Sequence, residues 1–333
     1  MAALNKIQDL IKSKTSNGSR LMTRKFMQTT KCALLTGLLL CAAFTPALQA
    51  DGEAYTKAHP ALWQISDSDT TIHLFGTLHI MRPGIDWMHG DVAAAFNQAD
   101  ELVLEAVEPA PSEAQQLMMQ TAVDQSGQSL RSKLEPNERK HYELALQTNG
   151  LPTDALDPFK PWMASMTLAI IPMMHAGYQL EYGVDAVLQQ AAEENGKRVT
   201  GLEGFEEQML ILDSLSEPLQ LAMLNDTVQQ MPNMQTLMSH MDALWTNGKT
   251  DELGQMMNEG LTGFTDSNEL YDTLLTNRNA NWASWVDQRM QVPGKVFLAV
   301  GAGHLSGDHS LIKMLESKGY TVTRVQTTTA STN

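Results

Sequence analysis

Two short apolar segments near opposite ends of the 333-residue chain are each followed by the spacing Gly-x-x-His. The first ends at Phe75 and continues as Gly76-Thr77-Leu78-His79; the second, residues 295–300, continues as Gly301-Ala302-Gly303-His304. Short apolar runs bounded by glycine predict buried strands. Because glycine lets the chain turn sharply and approach a ligand closely, we expect each histidine to lie over a sheet edge.

Predicted strands and helices alternate at both ends of the chain, around a long helical middle. Residues 62–75 alternate around the polar Asp67-Ser68-Asp69 and predict a β-hairpin, residues 88–99 have helical spacing, and residues 102–104 form a short strand. The remaining predicted elements are helices over 112–195, a strand at 198–202, helices over 205–291, a strand at 295–300, a helix at 310–318 and a closing strand at 320–325. This order predicts an α/β fold with a large helical insertion or cap.

Four polar side chains occupy comparable positions in this pattern. His79, Glu105, Glu203 and His304 each lie just past the carboxyl end of a predicted strand. Open α/β sheets bind their ligands at that edge. We therefore expect these four side chains to form one site.

Two histidines and one or more carboxylates at one edge suit a divalent transition ion such as zinc, manganese or cobalt. Such an ion polarises a carbonyl group or lowers the pKa of a bound water. Glu105 is a candidate both for a metal ligand and for a general base. A single Gly-x-x-His is a weak signal, and the alternative interpretation is a turn whose half-buried histidine bonds to backbone. Two copies at equivalent positions favour the metal site.

The charge of the chain is divided unevenly along its length. Residues 1–50 hold seven basic residues and one acid, which leaves 16 basic and 37 acidic residues in 51–333, a net charge of −21. A region that acidic repels phosphate groups. We therefore expect neither nucleic acid nor an anionic membrane surface as a partner.

The first fifty residues have the three-part pattern of an export signal. Residues 32–44 form an uncharged apolar run of thirteen, preceded by Arg24, Lys25 and Lys31 and followed by a segment that ends on the small residue Ala50. A membrane span needs about 20 apolar residues, so we expect no stable span after cleavage. The sequence predicts an N-terminal extension and cleavable signal peptide over 1–50, one domain over 51–333, and a periplasmic or secreted protein.

Both cysteines, Cys32 and Cys41, lie in the segment that we expect to be removed. The mature protein then contains no thiol. This excludes cysteine catalysis, a cysteine zinc site and disulfides together.

Six short motifs follow one another along residues 62–325. They are Phe75-Gly76-Thr77-Leu78-His79-Ile80, Leu102-Val103-Leu104-Glu105, Tyr182-Gly183-Val184-Asp185, Gly196-Lys197 with Gly201-Leu202-Glu203, Thr276-Asn277-Arg278-Asn279, and Val300-Gly301-Ala302-Gly303-His304-Leu305. In these motifs the chain resembles the TraB/GumN family, part of the TraB/PrgY/GumN/Tiki superfamily.

The resemblance implies an EreA/ChaN-like fold, in which two α/β halves form a central mixed sheet. It also implies an exported metal-dependent hydrolase, specifically a Tiki-like metallopeptidase acting on peptide or protein segments. By matching position, His79, Glu105 and His304 are the implied ligands of a Mn, Co or Zn ion. Glu105, Arg278 and Glu203 are the implied catalytic residues. The alternative function is a non-catalytic periplasmic protein that sequesters a peptide or signal in the same cleft.

Three of these residues also have structural interpretations. Arg278 lies on a predicted helix, where a surface arginine is the default, and only the motif makes it a candidate partner for a substrate carboxylate or an oxyanion. Asp185 fits an N-cap of the helix over 186–195, and we favour that structural role. Glu203 is in place to begin the helix that starts at Phe205.

Overall fold

A mixed six-stranded sheet lies at the centre of the computed structural model, which describes residues 55–261 and 267–325. Across the sheet the strands are β6 (Arg198–Glu203), β5 (Glu101–Ala106), β7 (Gly294–Gly301), β3 (Thr70–Thr77), β2 (Leu62–Ser66) and β8 (Thr323–Arg324). The first four are parallel to one another, whereas β2 is antiparallel to both β3 and β8. A separate two-stranded parallel sheet pairs β1 (Thr56–Lys57) with β4 (Ile85–Asp86).

The predicted α/β class is therefore confirmed, and its closer likeness to EreA and ChaN stays a prediction. The predicted closing strand over 320–325 is shorter than expected, because only Thr323–Arg324 pairs with β2. The predicted signal peptide over 1–50, with both cysteines, lies outside the described residues.

The β2–β3 hairpin forms as its alternating pattern predicts. Leu62 pairs with Phe75 and Ile65 with Ile72. The Asp67 carboxylate accepts hydrogen bonds from the backbone N–H groups of the two residues that follow Ser68, at 3.1 and 2.8 Å. Asp67 thus stabilises the turn by replacing backbone partners with its own side chain.

The two predicted helical regions consist of a succession of shorter helices. Several begin with proline at the first turn, where its missing N–H costs no intrahelical hydrogen bond. The α-helices are α1 (Gly90–Gln98), α2 (Pro111–Ala122), α3 (Pro136–Thr148), α4 (Pro161–His175), α5 (Val184–Glu194), α6 (Phe205–Asp213), α7 (Glu217–Gln230), α8 (Met234–Thr246), α9 (Thr250–Gly260), α10 (Ser267–Tyr271), α11 (Asn277–Arg289) and α12 (Leu311–Ser317). Short 3-10 helices are Leu130–Lys133, Leu180–Tyr182, Met231–Asn233 and Ala302–Leu305, and Asp272–Thr276 is a π-helix. None of the helices in the described part of the chain is long and apolar enough to cross a membrane.

Apolar side chains cover both faces of the sheet, because neighbouring strand residues point to opposite sides. On one face Phe75 packs against Trp87 and Phe297, with ring centroids 5.7 and 5.5 Å apart. On the other face Leu74 belongs to a buried cluster that includes Trp282 of α11. These two apolar layers hold the sheet between helices. The loops that follow the strands lie at the edge where the strands end.

The carboxyl ends of the four parallel strands meet at one edge of the sheet. They are Thr77 of β3, Ala106 of β5, Glu203 of β6 and Gly301 of β7. Residues that follow these strands are consequently neighbours in space although they are far apart in sequence.

Close packing of α9 on the 3-10 helix Ala302–Leu305 requires glycine at residue 254. A methyl group on Gly254 would overlap the side chain of the buried Ser306 and lie 3.3 Å from its Cα atom. A methyl group on Gly260, in the same helix, would meet nothing within 4 Å.

We therefore expect Gly254→Ala to lower the free energy of unfolding by about 1–3 kcal/mol through overpacking. The matched Gly260→Ala should be neutral or raise it by up to about 1 kcal/mol, because alanine favours helix over glycine. Urea denaturation of both variants measures the difference. Equal stabilities would contradict this packing.

Candidate functional site

The four polar side chains predicted to meet do lie at the same sheet edge. His79 follows β3 by two residues and His304 follows β7 by three. Glu105 and Glu203 were predicted just past their strands, but they are the penultimate residue of β5 and the last residue of β6. All four side chains therefore lie together at the edge of the sheet where these strands end.

All three predicted metal ligands, His79, Glu105 and His304, surround Gly301. Its backbone N–H donates to Glu105 Oε1 at 2.6 Å. A methyl group on Gly301 would lie 3.1 Å from that oxygen, 3.6 Å from His304 Cδ2 and 3.8 Å from His79 Nε2. The missing side chain therefore leaves the space that these three groups share.

Arg278 connects this cluster to Glu203. Its Nε atom donates to both Glu203 oxygens at 3.0 and 3.1 Å, and its Nη2 atom donates to Glu203 Oε2 at 2.9 Å and to Glu105 Oε2 at 2.7 Å. Its Nη1 atom donates to the Leu274 carbonyl and to His304 Nε2, both at 3.2 Å. The Trp282 ring lies under the guanidinium at 4.7 Å, and its indole N–H donates to Glu203 at 2.9 Å.

The interpretation of Arg278 as a surface residue is wrong. Its side chain is only 12% exposed, beside Glu105 at 8% and Glu203 at 9%. Buried charges are tolerated only when they are paired and hydrogen-bonded, and removing one partner costs about 3–5 kcal/mol. Arg278 therefore provides the positive charge that two buried carboxylates need.

His304 is held in one tautomer. The Asn279 side-chain N–H donates to the His309 carbonyl at 2.8 Å, which orients the amide oxygen toward His304 Nδ1, also at 2.8 Å. Because that oxygen only accepts, Nδ1 carries the hydrogen and Nε2 keeps its lone pair. Burial, opposed by Glu105 and assisted by Arg278, lowers the pKa of His304 to about 4. The imidazole is thus neutral at pH 7.

Glu105 stays ionised although it is buried. Burial alone would raise its pKa, but His304, Arg278 and His79 outweigh that effect and hold the pKa at about 2. Gln208 of α6 donates a further hydrogen bond to Glu105 Oε2 at 3.0 Å. A carboxyl group with so low a pKa is a hydrogen-bond acceptor or ligand rather than a proton donor at neutral pH.

His79 lies in the opposite electrostatic environment. Its Nδ1 atom is 3.1 Å from Asp185 Oδ1, and its side chain is 63% exposed. The surrounding protein disfavours the charged ring, but the negative charge of Asp185 outweighs this and raises the pKa of His79 to about 9. His79 is therefore a cation at neutral pH, whereas His304 is neutral.

The favoured role of Asp185 as an N-cap is wrong. The N-cap of α5 is Gly183, and Asp185 lies in the first turn with its carboxylate toward His79. Gly183 packs against the His79 backbone, where a methyl group would lie 2.8 Å from the carbonyl carbon. The backbone of Val184 donates to the Leu78 carbonyl at 2.8 Å. These contacts hold the start of α5 against the His79 loop.

The donor set has the right chemistry for a transition ion, but its arrangement does not match a metal site. Within residues 55–261 and 267–325, no group of three histidine, aspartate or glutamate side chains is placed to hold one ion. The His304 Nε2 atom, which such an ion would need, accepts a hydrogen bond from Arg278 instead, and Arg278 also bonds Glu105 Oε2. His304 Nε2 and Glu105 Oε1 are 3.7 Å apart.

Sequence reasoning missed three side chains that complete the site. Asn279 belongs to the motif Thr276-Asn277-Arg278-Asn279, and its position next to Arg278 could have indicated a role in the site. Trp282 is one helical turn after Arg278, a spacing at which helical side chains meet. Gln208 gave no signal, because its contact with Glu105 depends on how α6 packs after β6.

Because Asp185 raises the pKa of His79, Asp185→Asn should return that pKa from about 9 toward the ordinary 6.5. Glu181→Gln, which removes a charge from the preceding turn, is the control. The protonated imidazole stabilises the fold fully below pH 6.5, and this contribution is lost as the pH rises through 9. An NMR titration of the imidazole measures the shift, and an unchanged pKa in Asp185→Asn would refute the pairing.

Comparison with known proteins places the chain among its relatives. It is 27% identical to YbaP of Escherichia coli (strain K12), an uncharacterized protein, over 79% of this chain and 94% of that one. It is 29% identical to the metalloprotease TIKI2 of Danio rerio over 42% of this chain and 32% of that one. No solved structure matches the chain significantly. Since the model of the TraB/PrgY/gumN family matches residues 61–324, the chain belongs to that family.

Proposed function

We propose that the protein is an exported, metal-dependent hydrolase that cleaves peptide or protein segments in the periplasm or outside the cell. The observation that carries the proposal is the convergence of His79, Glu105 and His304 around Gly301, with Arg278 bound to Glu105 and His304. The partial similarity to a protein named as a metalloprotease supports it. The apolar run over residues 32–44 supports export.

The proposed cofactor is a Mn, Co or Zn ion held by His79, Glu105 and His304. When bound, such an ion supplies Lewis-acid chemistry toward a carbonyl or a water molecule. Imidazole nitrogens and a carboxylate suit these ions.

The proposed roles of the side chains at the site follow from their charges and hydrogen bonds. Arg278 supplies a buried cation for a substrate carboxylate or a developing oxyanion. His79 has its Nδ1 atom 3.1 Å from the Asp185 carboxylate, which leaves Nε2, on the side of Gly301, for the ion. Glu105 fits a ligand better than a general base, because its pKa of about 2 makes it a weak base.

Incubation of the purified protein with a proteome-derived peptide library, with Mn, Co or Zn added singly, tests the activity. We expect new peptide termini by mass spectrometry, lost on chelation and lost in His79→Ala and His304→Ala. His73→Ala is the control, because His73 lies within β3, the strand that His79 follows, at a position that pairs with Gln64 and Phe297. Peptides recovered bound but intact would instead favour a sequestering protein.

A matched pair of variants separates chemistry from stability. Glu105 and Glu101 stand at opposite ends of β5, and each is buried against an arginine of α11, Arg278 or Arg289. Glu105→Gln and Glu101→Gln should each lower the free energy of unfolding by about 1–3 kcal/mol, since each weakens a charged hydrogen bond. Only Glu105→Gln should abolish peptide cleavage. Equal cleavage by the two variants would remove Glu105 from the proposed site.

A further inference from the structure

The guanidinium of Arg278 occupies the place of a metal ion between two predicted ligands. It takes the lone pair of His304 Nε2 through Nη1 at 3.2 Å and the Glu105 Oε2 oxygen through Nη2 at 2.7 Å. An ion ligated by His304 would have to contact Nε2, because Nδ1 carries the hydrogen that bonds Asn279. An arginine and an ion cannot both use Nε2, because its single lone pair accepts one partner. Glu105 Oε2 is occupied as well, since it accepts from both Arg278 and Gln208.

The hydrogen bonds of Arg278 divide into two groups. All five of its N–H groups have acceptors: Nε and one N–H of Nη2 face Glu203, one N–H of Nη1 faces the Leu274 carbonyl, and the remaining two face His304 and Glu105. The three N–H groups that face Glu203 and the Leu274 carbonyl would keep their acceptors if the guanidinium moved away from His304 and Glu105. Glu203 and Trp282 therefore provide a position to which the side chain can withdraw while it stays paired.

The backbone next to Arg278 departs from a regular helix. The π-helix Asp272–Thr276 directly precedes α11 and supplies the Leu274 carbonyl that Arg278 bonds. The buried Thr276 hydroxyl has no hydrogen-bond partner among the described residues. Single π-helical turns inside α-helices occur frequently at functional sites. This turn is the local element that can adjust when Arg278 moves.

Charge also opposes simultaneous occupancy. A divalent ion beside Glu105 would lie within a few ångströms of the guanidinium, and like charges that close repel strongly at a buried site. Without the ion, Arg278 is the cation that compensates Glu105 and Glu203, both less than 10% exposed.

We propose that Arg278 is a built-in competitor for the metal ion, which holds the ligands in the metal-free protein and withdraws to Glu203 when an ion binds. The proposal rests on the proposed metal-dependent function. It explains why donors of the right chemistry do not form a metal group in the described residues. It makes Arg278 the residue that sets metal affinity.

Calorimetric titration of the purified protein with Mn²⁺, Co²⁺ and Zn²⁺, each alone, tests this. Arg278→Met should bind at least one ion about tenfold more tightly than wild type or better. Its Tm without metal should fall, and added metal should restore it more than in wild type, because the ion then compensates the two carboxylates. Arg289→Met is the matched control, since Arg289 is also 12% exposed on α11 but bonds Glu101. It should lower Tm without changing metal affinity.

The outcomes separate the two proposals. If wild type binds metal and Arg278→Met binds it equally or more weakly, the competitor role is wrong and the metal-dependent function stands. If neither protein binds any of the three ions, metal dependence is wrong and the competitor role falls with it. If Arg278→Met does not fold, NMR of the arginine Nε–H groups in wild type decides: saturating metal should shift the Arg278 signal and not the Arg289 signal. An unshifted Arg278 signal would overturn the inference.

Discussion

The buried ion cluster of Arg278 with Glu105 and Glu203 is the interaction on which the rest of the site depends. It joins the ends of two neighbouring strands, β5 and β6, to the first turn of α11. Without the arginine, two carboxylates would be buried side by side without the cation that hydrogen-bonds both of them, which is costly in a protein interior. The same guanidinium fixes where the His304 ring and the Trp282 indole lie.

Two histidines in equivalent sequence motifs acquire opposite charge states. Asp185 raises the pKa of His79 to about 9, whereas burial lowers the pKa of His304 to about 4. The polar partner of each Nδ1 atom agrees with these charge states. A negatively charged carboxylate faces His79, whereas the neutral amide of Asn279 faces His304. The motif alone does not distinguish them.

Local pattern predicted the hairpin, the α/β class and the sheet edge where the strand ends meet. Those features follow from short-range alternation and from the geometry of parallel sheets. The roles of Asp185 and Gln208 did not follow, because they depend on how α5 and α6 pack back onto the strand ends. For Arg278, helical position alone gave the wrong exposure, since no local signal reports that two distant carboxylates face the same turn.

Strand β5 has a buried glutamate near each of its ends, and α11 provides an arginine that pairs with each of them. Glu101 binds Arg289 at the last residue of the helix, and Glu105 binds Arg278 in its first turn. A helix tied at two points along one strand cannot slide along it without breaking both ion pairs. Any adjustment at the site is therefore confined to side-chain rotation and the π-helical turn before α11, so the apolar layers beneath the site keep their packing.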